Sequence, residues 1–184
     1  MMNKGKLIIV SGPSGAGKGT VLQEVFKQLP DLKYSISATT RKPREGETNG
    51  VQYFFITKAE FKGKIKRGEM LEYAWYCNNY YGTPADYVET HRSAGNDVLL
   101  EIEPQGAIQV MKKCSDAISV FVMPPSLEEL EKRLVGRGTE SAEIVAERIA
   151  QAKKEIANSH LYDFTVVNDD ILVAAEQIIE IIKK

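Results

Sequence analysis

The residues best placed to do chemistry lie in GPSGAGKGT, Gly12 to Thr20. A phosphate-cradling loop of the Walker type runs G-x-x-x-x-G-K-[ST]; its lysine reaches the β- and γ-phosphates and the following hydroxyl sits on magnesium. Gly12, Gly17 and Lys18 fall on that pattern, but Gly19 stands where the hydroxyl belongs and Thr20 comes one residue late. Backbone N–H groups from Ser14 to Thr20 would converge on phosphate oxygens, helped by the positive end of the helix that follows. The whole run Gly12, Pro13, Ser14, Gly15, Ala16, Gly17, Lys18, Gly19 and Thr20 therefore reads as a nucleotide-binding loop. The competing reading is a plain strand-to-helix turn, against which stand four glycines within eight positions beside a lysine.

Four further stretches carry polar groups in suggestive patterns. SATTRKPREGE (37–47) sets Arg41 and Arg44 close together, and guanidinium forks suit a dianionic phosphate; alone, the segment reads equally as a solvated basic loop. NNYYGTP (78–84) offers the hydroxyls of Tyr80, Tyr81 and Thr83 on a turn, or else aromatic packing. LLEIEPQGA (99–107) is an apolar run ending in acids, and a period of two puts Glu101 and Glu103 on one side. Carboxylates at the carboxyl end of a strand lie where open α/β sheets bind ligands. EKRLVGRGTESAEIVAERIAQ (131–151) carries Arg133, Arg137 and Arg148, with Arg137 between two glycines that suit a moving lid. His91 and His160 sit in no ligand spacing.

Those groups need elements to hold them. KLIIV (6–10) is a short apolar run closed by Ser-Gly-Pro, as befits a buried strand. After the glycines, Val21, Leu22, Val25, Phe26 and Leu29 recur at helical spacing until Pro30. Further strands are predicted at 34–39, 53–57, 97–102, 117–122 and 164–168, and amphipathic helices near 58–68, 84–94, 126–135, 142–158 and 170–182. Ser126 and Glu129 have capping-box spacing. The alternation argues for an α/β fold with a largely parallel sheet flanked by helices. The stretch 32–83, rich in Tyr, Arg, Gly and Asn, breaks the alternation and reads as an inserted lobe.

The bulk properties narrow the function. The chain has 184 residues, 43% hydrophobic and 27% charged, the range of a one-domain globular protein. Its 24 Lys and Arg nearly balance 25 Asp and Glu, so no global field grips nucleic acid. No run approaches the roughly 20 apolar residues of a membrane span, nor the roughly 7–15 of a signal peptide. Cys77 and Cys114 form no framework and read as reduced thiols, in keeping with a cytoplasmic location.

Taken together and in this order, TTRKPREGE, NGVQYFFIT, NNYYGTP, GRGTE and VVND make the chain resemble the guanylate kinase family over essentially its whole length. The loop alone says only "nucleotide"; the second and third pieces make the resemblance specific. It implies a P-loop core (1–32, 95–125 and 159–184), a GMP-binding lobe (33–94) and a lid at about 126–158. It implies reversible transfer of phosphate from ATP to GMP, and to dGMP, in purine nucleotide metabolism, with Mg2+ accompanying ATP. By position, Arg41, Arg44, Tyr53 and Tyr81 would hold the GMP phosphate, while Ser37, Glu72, Thr83 and Glu101 would read or flank the guanine. Arg133, Arg137 and Arg148 would act with Lys18 on the ATP phosphates, Asn168 would approach the adenine, and Glu103 would orient water on magnesium. The resemblance implies ATP and GMP as partners, with no nucleic acid, membrane or obligate protein partner. The family usually carries Asp at one or both of the positions held here by Glu101 and Glu103, and a large residue where Pro104 stands. Gly-Lys-Gly-Thr is similar to the loop of adenylate kinases, in which no hydroxyl directly follows the lysine. Two alternatives share the resemblance: a docking module that keeps the fold without the activity, and a same-fold kinase of another phosphorylated small molecule.

Overall fold

The structure, a computed structural model, describes residues 3–76, 78–135 and 142–184. In chain order the elements are β1 (Leu7–Ser11), α1 (Lys18–Gln28), β2 (Lys33–Tyr34), β3 (Ala38–Thr39), β4 (Phe54–Phe55), α2 (Lys58–Lys66), β5 (Met70–Tyr76) and β6 (Asn79–Pro84). There follow α3 (Ala85–Ser93), β7 (Val98–Glu101), α4 (Pro104–Lys113), β8 (Ile118–Met123), α5 (Leu127–Val135), α6 (Ala142–Ala157), a 3-10 turn (Ser159–Leu161), β9 (Phe164–Val167) and α7 (Ile171–Lys183). One sheet has five strands in the order β2-β7-β1-β8-β9, and a second has four in the order β4-β3-β6-β5. In the first, β1 pairs parallel with β8, β2 with β7 and β8 with β9. This is an α/β fold with a parallel sheet flanked by helices.

The backbone groups into two compact units. One comprises Met1–Leu7, Asp31–Leu100 and Gln105–Ala117; the other comprises Ile8–Pro30, Glu101–Pro104 and Ile118–Lys184. Every residue of β1 is buried, which is why LIIVS shows no alternation: a parallel strand covered on both faces is apolar throughout. Val120, Phe121 and Val122 of β8 are equally inaccessible. The side chain of Asp170 caps α7 by accepting from the N–H groups of Leu172 and Val173 at 2.8 and 3.0 Å. Leu130 and Leu134 of α5 pack with Val145 and Ala152 of α6.

The first unit holds the four-stranded sheet, which mixes parallel β3–β4 with antiparallel β3–β6 and β5–β6 pairs. Its core is Ala38, Phe61 and Met70, with Phe54, Ile56, Ile65 and Tyr80 packed around them. Thr57 and Glu60 make a full capping box at the start of α2.

Four expectations are corrected here. The strand expected over 34–39 is two strands in different sheets, because the Ser35 N–H donates to Leu99 O while Ser37 O accepts from the Phe54 N–H. Tyr80, Tyr81 and Thr83 lie on strand β6, paired with β5, and not on a turn. Alternation then puts Tyr81 and Thr83 on one face and Tyr80 on the other. Residues 104–113 form a helix that the sequence reading omits: Pro104 opens it, a position where the missing N–H costs nothing. Finally, β7 ends at Glu101, so Glu103 lies beyond the strand and a two-residue period does not place it.

Candidate active site

The loop Gly12–Gly17 joins β1 to α1 inside the second unit. Gly12 takes φ 148° and Gly17 takes φ 85°, left-handed values that other residues rarely adopt. At Gly12 a side chain would also strike Val122 O, 2.1 Å from where its Cβ would lie. Gly17 caps α1 without a side chain, leaving the first N–H groups of the helix to a ligand. Lys18 bends back along the loop and donates to Gly12 O at 2.6 Å and Pro13 O at 3.2 Å. Gly19 and Thr20 are exposed on the first turn of the helix.

Three described groups brace or face this loop. Asn168 is buried, and its Nδ2 donates to Ala16 O at 2.8 Å. Its side chain thus turns inward onto the loop. Arg133 donates to Asn168 O at 3.3 Å and is held by Glu129 at 3.2 Å. Arg148, on α6, donates to Ser14 Oγ at 2.6 Å. Arg137 lies outside the described residues, as does Cys77.

Glu101 also stands at this loop: a Cβ added to Gly19 would lie 3.8 Å from its Oε1. The carboxylate expected at the guanine therefore has a described neighbour on the first turn of α1. Glu103 is exposed and acts electrostatically on Glu155 of α6, a residue that no motif had singled out. Burial first, and then Glu103, raise the Glu155 carboxyl above the ordinary range, while the hydrogen bond from Gln151 and the charge of Lys18 oppose the shift. Arg148 and Glu155 are seven apart, two helical turns, and share a face of α6; that spacing is the signal by which Glu155 could have been found.

In the first unit, Arg41, Arg44, Tyr53 and Tyr81 gather about Glu47, a second residue missed from the sequence. Arg41 makes a bidentate pair with Glu47, both bonds at 2.8 Å, and Glu47 accepts the Arg44 backbone N–H at 2.6 Å. The Arg41 guanidinium lies 5.5 Å from the Tyr53 ring centroid and 5.6 Å from that of Phe55. Tyr53 and Tyr81 meet edge to face with centroids 6.0 Å apart. Hydrogen bonding to Arg41 and to the Arg44 backbone draws the Glu47 carboxyl down to about 2. The same pair raises the Arg41 pKa, with Tyr81 adding to it. Arg41 also donates to Lys42 O at 2.9 Å, so Glu47 and the Lys42 carbonyl together fix the direction of its guanidinium.

Glu72 of β5 is 5% exposed, and its Oε1 accepts the Thr83 hydroxyl at 2.8 Å. Burial pushes its carboxyl above the ordinary glutamate range, against the hydrogen bonds from Thr83 and the charge of Lys113. Ser37 is half-buried at the edge of β3.

A glycine-rich anion loop with an inward lysine and arginines, carried on a parallel α/β sheet, defines a P-loop phosphotransferase. A family model described as guanylate kinase matches residues 4–184. The guanylate kinase of Streptococcus agalactiae serotype III is 56% identical over all of this chain and 88% of its own length, and that of Streptococcus pyogenes serotype M3 is 56% identical over all of this chain and 87% of its own. The crystal structure of guanylate kinase from Anaplasma phagocytophilum superposes with a TM-score of 0.77 at 32% identity, covering 98% of this chain and 86% of that one. Shikimate kinase from Bacteroides thetaiotaomicron shares the fold at a TM-score of 0.52 and 12% identity, over 97% of this chain and 99% of its own. The chain belongs to the guanylate kinase family.

Proposed function

We propose that this chain transfers the γ-phosphoryl group of ATP to GMP, giving ADP and GDP reversibly, and that dGMP is also accepted. A GMP phosphate oxygen attacks the γ-phosphorus as the bond to the ADP oxygen breaks. That phosphate is already an adequate nucleophile, so no general base is needed, and positioning with charge stabilisation does the work. Backbone N–H groups of the loop and α1 bind the ATP phosphates; Lys18 exchanges its loop carbonyls for phosphate oxygens. Arg133 and Arg148 neutralise charge on the transferred group together with Arg137, and α5 and α6 act as the lid that keeps water out. Asn168 serves by fixing the loop at Ala16, a change from the adenine contact that the resemblance implies.

The donor set fits magnesium carried by the nucleotide. Among the described residues no cluster of three or more His, Cys, Asp or Glu makes a cage for a metal. Magnesium keeps several waters and takes phosphate oxygens, so one or two nearby carboxylates suffice. Glu101, beside Gly19, would hold such waters with Glu103; this moves Glu101 from guanine to metal. Bound there, the ion would supply positive charge to the phosphates during transfer.

Arg41, Arg44, Tyr53 and Tyr81 hold the GMP phosphate, and Glu72 with Thr83 and Ser37 reads the base. The buried Glu72 carboxylate carries this reading. Guanine presents N1–H and a 2-amino group side by side, and an ionised carboxylate is an acceptor only. Among the described residues no helix is long and apolar enough to cross a membrane, and we place the chain with the soluble nucleotides of the cytoplasm. A coupled assay of ADP formation across GMP, dGMP, AMP, CMP and UMP tests the proposal. Turnover is expected with GMP and dGMP, with AMP disfavoured by ~10⁴ because it leaves buried acceptors unpaired. Equal rates with AMP would overturn it.

A further inference from the structure

The third residue of helix α4 is a glycine. Gly106 is not in the left-handed region, and alanine is the stronger helix former, so neither φ nor propensity calls for glycine there. Its neighbour does. A Cβ at 106 would lie 2.5 Å from Oε2 of Glu72, 3.0 Å from its Cδ and 3.3 Å from its Cγ. The other carboxylate oxygen is engaged by Thr83, so Glu72 is gripped from two sides. The helix docks on β5 at two more points that straddle Glu72. Gln109 bonds the Tyr73 N–H at 3.3 Å and the Tyr73 O at 3.1 Å. Lys113 donates to Met70 O at 3.0 Å and Leu71 O at 2.7 Å. Residues 106, 109 and 113 recur at helical spacing and meet β5 at residues 70–73.

We propose that α4 aims the base-reading carboxylate, with Gly106 as the positioning residue that sets guanine selectivity by leaving room for Oε2. This rests on the assignment of Glu72 to the guanine. An alanine at 106 displaces the far end of one side chain and not backbone, so the fold survives while the carboxylate moves.

The test measures Gly106→Ala, Glu72→Asp, the double variant and Glu72→Gln with GMP, AMP and ATP, alongside thermal unfolding. Gly106→Ala should lower kcat/KM for GMP about 10- to 100-fold, the scale of an ångström-sized misplacement. Its KM for ATP should stay within about twofold, its preference for GMP over AMP should narrow, and its unfolding midpoint should hold. Because Glu72→Asp withdraws the carboxylate by one methylene and removes the 2.5 Å contact, the double variant should lose far less than the sum of the two single losses. The proposal is overturned if Gly106→Ala leaves GMP kinetics unchanged, if GMP and ATP suffer in parallel, or if the two changes add. Should Gly106→Ala fail to fold, a folded double variant supports the proposal and an unfolded one overturns it. Glu72→Gln with wild-type GMP kinetics would remove the base-reading assignment itself. Loss of GMP activity in Glu72→Gln beside a silent Gly106→Ala would remove only the role of α4.

Discussion

Lys18 satisfies its ammonium on Gly12 O and Pro13 O, carbonyls of the loop it belongs to. Lys18 itself is only half-buried and methionine keeps most of its apolar stem, so Lys18→Met should keep the fold. Turnover should drop by ~10³–10⁵, the scale of single charge-stabilising groups in phosphoryl transfer; a folded variant with near-normal kcat in the coupled assay would refute the assignment. Glu72 makes the opposite trade between stability and function. Its carboxyl is raised above the ordinary range by burial, so the unfolded chain ionises it more readily than the folded one does. Stability from this group is therefore present at acid pH and lost as pH rises through the raised value. Glu72→Gln should be at least as stable as wild type at neutral pH, with the difference vanishing below the ordinary glutamate range, while GMP turnover is lost. Denaturant melts at several pH values check the first part, and a variant less stable at neutral pH would contradict it. Lys18 and Glu72 are legible in the sequence through motif and resemblance. Glu47 and Gly106 are not, because their parts depend on a guanidinium and a carboxylate brought close by folding.

The first turn of α1 bears on the displaced hydroxyl. A side chain at Gly19 would meet Glu101 Oε1 at 3.8 Å, ordinary contact, and the residue is exposed. Successive helical positions differ by about 100°, so Thr20 points elsewhere than a group at 19. Gly19→Ser should accordingly be tolerated, whereas Thr20→Ala should weaken ATP binding or turnover by loss of a donor to phosphate. If Thr20→Ala matches wild type in a magnesium titration, the hydroxyl has no such role. Among the elements, α1, α2, α3, α5, α6 and α7 were legible because apolar residues recur at helical spacing over nine or more positions. The pair β5–β6 was not, since Tyr73, Trp75 and Tyr80 mix aromatic and polar character on a sheet with one half-exposed face. Helix α4 was masked by the apolar run of β7 leading straight into Pro104 and Gly106, which read as a turn when their neighbours are unknown.

Across the whole chain the alternation of strands and helices made the parallel α/β class readable, since βαβ connections leave periodicities that survive in one sequence. The two-strand split at 34–39 was not, because which sheet a short run joins is decided by partners far along the chain. The same separation yields a test at the scale of the molecule. Arg41 and Arg44 belong to one compact unit, and Arg148 with Ser14 to the other. If GMP is bound by the first set and ATP by the second, the two substrates' binding should respond to different arginines. A charge-assisted hydrogen bond contributes roughly 1.5–3 kcal/mol, or about 10- to 150-fold in affinity. Arg41→Ala and Arg44→Ala should therefore weaken GMP binding by that factor while ATP binding holds within a few-fold. For Arg41→Ala the effect should be the larger, because the change also strips Glu47 of its guanidinium partner, leaving a carboxylate held only by the Arg44 backbone N–H to repel the incoming phosphate. Arg148→Ala should do the reverse, lowering kcat and weakening ATP binding with GMP spared, since its partner is Ser14 of the phosphate loop. Isothermal titration of each variant with each nucleotide separates the two patterns. GMP binding left intact by Arg41→Ala and Arg44→Ala, with ATP binding lost, would transfer those arginines to the other substrate.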